Sequence, residues 1–130
     1  MKIIILGAGQ VGSTAAEQLA REQANDVTVV DTRDEVLREL QDRLDIRTIS
    51  GNAAHPSTLL AAGSKGADLL VALTSSDEVN MIACQIAWTL FRTPTKIARI
   101  RSADYYGHPE LFGEHSIPVD LAISPEQLVT

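Results

Sequence analysis

Short apolar runs recur along the chain, separated by polar stretches whose apolar residues fall on one side. Ile3 to Leu6, Val27 to Val30, Ile46 to Ser50, Leu69 to Leu73, Lys96 to Ile100 and Val119 to Ile123 are too short for helices and predict six strands. Near-continuous apolar runs of this kind belong to strands buried on both faces. The segments between them predict helices. One runs through Ser13, Thr14, Ala15 and Ala16 to about Arg21. Arg33 to about Leu44 places Val36, Leu37, Leu40 and Leu44 on one face. Pro56 to Ala62 opens with proline in its first turn and stops at Gly63. A long helix is expected from Ser75, with Glu78 completing a capping box. The stretch 104–115 is less regular and has room for one short helix. Strict alternation of strand and helix means an α/β fold, a doubly wound parallel sheet with helices on both faces, in a single domain over residues 1–130. Ser124, Pro125 and Gln127 carry the signals of one more helix start, with few residues left to run, so the chain is expected to be a fragment of a longer protein.

The first strand runs into Gly7, Ala8, Gly9, Gln10, Val11 and Gly12, a G-x-G-x-x-G loop that opens a helix. Gly7 permits the tight turn, Gly9 lets a pyrophosphate lie against the backbone, and Gly12 lets the helix pack closely on the strand. The helix N-terminus offers unpaired N–H groups and the positive end of its dipole. With Asp31 at the expected distance beyond, the arrangement is that of a Rossmann-like nucleotide site, the plain alternative being a structural glycine turn. Nucleotides bind such sheets at the carboxyl ends of the strands, so the residues just after each strand matter most. Asp31 can accept two hydrogen bonds from an adenosine ribose and would repel a 2′-phosphate, favouring NAD over NADP, although Arg33 stands close enough to receive such a phosphate. Asn52 and Ala53, after the third strand, leave room for an adenine or form an ordinary turn. Thr74 and Ser75, after the fourth, face the ligand's second half unless Ser75 is spent as a helix cap. Arg99 and Arg101 alternate with Ile100 and are expected on one face, suited to a phosphate or carboxylate or left as a surface pair.

Composition narrows the function. A net charge of −6 without a basic block argues against a nucleic-acid partner. Cys84 is the single cysteine, so neither a disulfide framework nor a cysteine metal cluster is available. The N-terminal apolar run is far shorter than a membrane span or signal sequence. His55, His108 and His115 have no partner at a catalytic spacing, no metal-binding motif appears, and Cys84 reads as a packed thiol. A binding module is therefore expected, not an enzyme. The alternative is the cofactor-binding half of an NAD-dependent oxidoreductase. The long helix is apolar on two sides. Val79, Ile82, Ala83, Ile86 and Leu90 are expected against the sheet. Met81, Cys84, Trp88 and Phe91 would then be left for a homo-oligomer interface, unless the segment 104–115 folds back over them.

The glycine loop, Asp31, ALTSSDEVNMIACQIA (Ala72 to Ala87) and ARIRSADY (Ala98 to Tyr105) together resemble the nucleotide-binding regulatory domains of potassium transport, the KTN or RCK family, and in particular the N-terminal domains of bacterial potassium-uptake subunits. The resemblance spans essentially the whole chain. It implies a cytoplasmic Rossmann unit, peripheral to the inner membrane through a potassium channel or transporter subunit. Such a unit senses NAD or NADH, or alternatively ATP or ADP, and packs into dimers or higher rings. Carried over by position, it implies ligand contacts from Gly7 through Val11 and from Asp31, Thr74, Ser75 and Arg99. Two departures stand out. Asn52 replaces an aspartate common in the family, and Gln10 stands where some ATP-selective relatives carry a basic residue.

Overall fold

The computed structural model describes residues 1–124. Six strands form one parallel sheet in the order β3-β2-β1-β4-β5-β6: β1 (Lys2–Leu6), β2 (Asp26–Asp31), β3 (Arg47–Ser50), β4 (Leu69–Ala72), β5 (Thr95–Arg99) and β6 (Leu121–Ile123). The chain winds outward from β1 to β3, then returns across β1 to build β4 to β6. That reversal puts a crevice between the ends of β1 and β4, where the loops leaving two adjacent strands diverge. The helices are α1 (Gln10–Ala20), α2 (Asp34–Arg43), α3 (Pro56–Ala61), α4 (Asp77–Phe91) and the single turn α5 (Ala103–Tyr106).

Each central strand divides its side chains between two cores. Ile3 and Ile5 of β1 join Val27, Val29, Leu37 and Leu40 beneath α1 and α2. Ile4 and Leu6 join Leu59, Leu70, Ala83, Cys84 and Ala87 beneath α3 and α4. Period-two alternation with both faces apolar is what a doubly covered parallel strand requires.

The long helix departs from expectation in two ways. Its N-cap is Ser76, whose Oγ accepts from the Val79 N–H at 3.2 Å, not Ser75. Glu78 closes no capping box; its carboxylate accepts the Tyr105 hydroxyl at 2.7 Å. The two faces of α4 are also not divided as expected: Ala83 is fully buried and Val79 and Ile86 pack on the core, in line with the sequence, but Met81 and Cys84 join them. Met81 and Cys84 are 5% and 0% exposed against the sheet, with Ala83 and Ala87, whereas Ile82 and Leu90 are 50% and 56% exposed. Ala83, Cys84 and Ala87 let the helix lie close to the strands, and Ile82 and Leu90 of the expected inner face are left outside. Of the expected interface, Met81 and Cys84 are buried in the chain's own core and Phe91 packs on it, while Trp88 is half-buried. The segment after β5 does fold back, since Tyr105, Phe112 and Ile117 pack on the α4-side core. Trp88 is flanked by cations, with the Arg92 guanidinium 4.7 Å and the Lys96 ammonium 4.6 Å from its ring centre. Lys96 is itself buried, donating to the Thr93 carbonyl at 2.8 Å and pairing with Asp120 at 3.1 Å. Pro125 and Gln127, two of the three signals of a further helix, lie outside the described residues.

Candidate functional site

Gly7 leaves β1 with φ of 102°, a conformation open to glycine at little cost. Its N–H donates to the Val30 carbonyl at 2.7 Å, which ties the loop to β2. A Cβ on Gly12 would overlap the Gly7 carbonyl oxygen, so α1 can approach the loop only without a side chain there. Gly9 is different. Its φ and ψ of −72° and −164° are ordinary extended backbone, and a Cβ built on it meets nothing within 4 Å. Neither backbone conformation nor packing requires glycine at this position. Gly9 is the N-cap of α1, and no side chain caps that helix. The first N–H groups of α1 therefore lack side-chain acceptors at a site with the positive end of the helix dipole.

Asp31 ends β2 beside this loop. Its side chain is 9% exposed, and both oxygens are engaged. Oδ2 accepts the Ala8 N–H at 2.8 Å and the Arg33 Nη2 at 3.2 Å. Oδ1 accepts the Arg33 N–H at 2.9 Å and Nε at 3.0 Å. Burial pushes the carboxyl pKa up. The hydrogen bonds from Arg33 and Ala8, with the Arg33 charge, outweigh burial and hold it below the ordinary value.

A cleft of about 620 Å³ opens across the ends of β1, β2 and β4. It brings together ten of the twelve residues singled out in the sequence: Gly7, Gly9, Gln10 and Val11 of the loop, Asp31, Asn52 and Ala53 after β2 and β3, and Thr74, Ser75 and Arg99 after β4 and β5. Ala8 and Gly12 lie beneath the surface. Ala8 holds Asp31 through its N–H, and Gly12 seats the helix. Asn52 accepts the Ala54 N–H at 2.8 Å, which makes it a turn former as well as a wall of the cleft. Because Ser76 is the cap, the Ser75 hydroxyl is left at the mouth. The two arginines line adjoining recesses that share Ser75 and Ser76. β5 ends at Arg99, which lines the cleft, while Ile100 is fully buried. Arg101 lies on a neighbouring recess, its N–H donated to Asp77 Oδ1 at 3.0 Å. Burial still alternates through Ala98, Arg99, Ile100 and Arg101, so the period-two relation persists past the end of β5.

Asn80 was not legible as a site residue. It is fully buried, and its side-chain amide holds Thr74 and the Arg99 carbonyl. Its position offered a signal: Asn80 shares a helical face with Cys84 and Ala87, and an amide in an apolar stripe needs internal partners.

The cleft fits an adenine nucleotide in its chemistry. It offers a helix N-terminus and an open glycine for phosphate, a carboxylate for a ribose, and small residues beside it. Its ionisable lining residues, among the described residues, are Asp31, Arg33 and Arg99.

The family model of the TrkA-N domain matches residues 3–125. The Trk system potassium uptake protein TrkA of Halomonas elongata is 62% identical over 130 residues, covering all of this chain and 28% of that protein. The TrkA protein of Vibrio alginolyticus is 57% identical over 131 residues, again covering 28% of its length. The chain thus spans little more than a quarter of these curated relatives. Among solved structures, the TrkA-N domain of the inner membrane protein ybaL from Escherichia coli superimposes with a TM-score of 0.83 at 20% identity, covering 98% of this chain and 90% of that one. The GsuK channel bound to NAD superimposes with a TM-score of 0.74 at 21% identity, covering 95% of this chain and 21% of that one. At these identities the two structures establish the shared fold. The family match and the high-identity relatives settle the membership: this chain belongs to the TrkA-N domain family.

Proposed function

We propose that the chain is a nucleotide-sensing regulatory module of a membrane potassium-uptake system. Its ligand is NAD or NADH, with ATP or ADP as the competing class. The observation that carries this reading is Gly9, a glycine that the protein's own backbone and packing do not require, at an uncapped helix N-terminus beside the Asp31 carboxylate. A phosphate lying against the backbone supplies the missing reason, and the helix dipole favours its charge. Asp31 orients the adenosine ribose, the loop from Gly7 to Val11 holds the phosphates, and Ser75 and Arg99 face the distal half. The TrkA relatives support the coupling to potassium uptake by their names. The module works in the cytoplasm beside its membrane partner, and no helix among the described residues is long and apolar enough to cross a membrane.

Binding without chemistry is what these residues suit. Asp31 has every acceptor position filled and a lowered pKa, so it is a poor proton shuttle at neutral pH. The ligand acts by differential affinity, favouring one arrangement of the assembly over another. Copies of the chain meet through the flank of α4 that carries Ile82 and Leu90. Titration of the protein with NAD, NADH, ATP and ADP side by side tests the reading. Saturable binding of at least one is expected, and no binding of any of the four refutes it.

A further inference from the structure

Asn80 lies in the first turn and a half of α4, wholly buried among apolar side chains. A buried amide is costly unless its donors and acceptors are all satisfied. Here they are, and every bond goes to one of two residues. Oδ1 accepts the Thr74 N–H at 3.0 Å and the Thr74 hydroxyl at 2.6 Å. Nδ2 donates to the Thr74 carbonyl at 3.1 Å and to the Arg99 carbonyl at 2.8 Å. Thr74 follows β4 and Arg99 ends the neighbouring β5, and both line the cleft on its β4 side. The opposite wall, with Asp31, Asn52 and the glycine loop, makes no hydrogen bond to Asn80. The amide braces one half of the site and leaves the other alone.

We propose that Asn80 is a positioning residue for the distal half of the nucleotide, the part beyond the adenosine phosphate. It locks the backbone of Thr74 on both sides and sets the spacing to Arg99. Ser75 and the Arg99 side chain are thereby presented at fixed positions to the second phosphate and the groups beyond it. Asn80 touches no ligand itself. The inference rests on the nucleotide reading of the cleft and adds a division of labour within it. Affinity for a ligand that ends at the first phosphate is set by Asp31 and the glycine loop. Affinity gained beyond that phosphate passes through Asn80.

The test compares NADH with AMP by calorimetric titration of the wild-type protein, Asn80→Ala and the isosteric Asn80→Asp. Asn80→Asp keeps the acceptor for Thr74 but turns a second oxygen toward two carbonyls. The expected result is a loss of NADH affinity of tenfold or more in either folded variant, with AMP affinity within twofold of wild type. A residue that serves stability alone would shift the melting temperature and leave both affinities of the folded protein intact. Equal weakening of both ligands, or of neither, overturns the proposal. Should both variants fail to fold, the wild type decides. Its Asn80 side-chain amide signals should shift on adding NADH and stay in place with AMP, and the reverse or no difference overturns the proposal. A wild-type protein that binds neither ligand refutes the nucleotide reading itself, a result distinct from any of these.

Discussion

The Arg33 guanidinium grips the Asp31 carboxylate side-on, with Nε on Oδ1 at 3.0 Å and Nη2 on Oδ2 at 3.2 Å. The backbone N–H groups of Ala8 and Arg33 take one further position on each oxygen. A carboxylate has about four acceptor positions in its plane, so Asp31 is saturated. An incoming ribose must therefore displace the guanidinium before its hydroxyls can bind. Arg33→Ala is expected to tighten binding of adenosine several-fold. Adenosine is uncharged, so the variant loses no long-range attraction. Titration calorimetry checks this, and weaker or unchanged adenosine binding would show that Arg33 is no competitor for Asp31.

Asp31→Ala should weaken NADH and ATP alike, because both present an adenosine ribose. Loss of hydrogen bonds to a charged acceptor costs about 1.5–3 kcal/mol, roughly a ten- to hundredfold rise in Kd. Unchanged affinity for both ligands removes Asp31 from the site.

The lowered pKa of Asp31 has a consequence for acid stability. The native state favours the ionised form, so its stabilising contribution is complete above the ordinary value of 3.8 and is lost as pH falls through the lower native value. In Asp31→Asn this contribution is absent at every pH. The stability difference between wild type and variant, measured by urea denaturation, should shrink as pH drops below 3.8. A difference that stays constant across that range contradicts the assignment.

Burial pushes the Cys84 thiol up to about 12, against a smaller opposing effect of Lys96. The thiolate is the reactive form, so the native protein should resist alkylation at pH 8 and react only after unfolding. Labelling at the rate of an exposed thiol, followed by mass spectrometry, would place Cys84 elsewhere.

The fold was readable because its signals are local and mutually consistent. Apolar runs, Gly63 and Pro56 each mark an element boundary without reference to the rest of the chain. The glycine loop and Asp31 were readable for the same reason, since each needs only its own strand end. What failed depends on tertiary choice. Both sides of α4 are apolar, so periodicity showed two faces without saying which meets the sheet. The sheet takes residues from both, the expected Ala83 together with Cys84 and Ala87, because close approach favours small side chains. Ser75 and Ser76 are equally good caps by residue type, and the path out of β4 decides for Ser76. Arg101 lies just beyond the end of β5, where Asp77 holds its N–H and that of Ser102, and so lines the adjoining recess and not the cleft itself.

The mixed burial of the two α4 faces makes a paired expectation. Trp88→Ala removes a ring held between Arg92 and Lys96 and should cost about 2 kcal/mol of stability. Ile82→Lys and Leu90→Lys alter exposed positions and should leave the melting temperature nearly unchanged while lowering the mass of any assembly seen by light scattering. A destabilised Ile82→Lys beside a stable Trp88→Ala would contradict this placement of α4.

The central claim is that the glycine loop is shaped for a phosphate outside the protein, and Gly9→Ala tests it most directly. The substitution suits the backbone at φ −72°, and the new methyl meets no protein atom within 4 Å. Melting and NADH titration of this variant beside wild type should show only the small fall in melting temperature that alanine costs at an N-cap, and a loss of affinity of tenfold or more. Full NADH affinity in the folded Gly9→Ala protein would contradict the account.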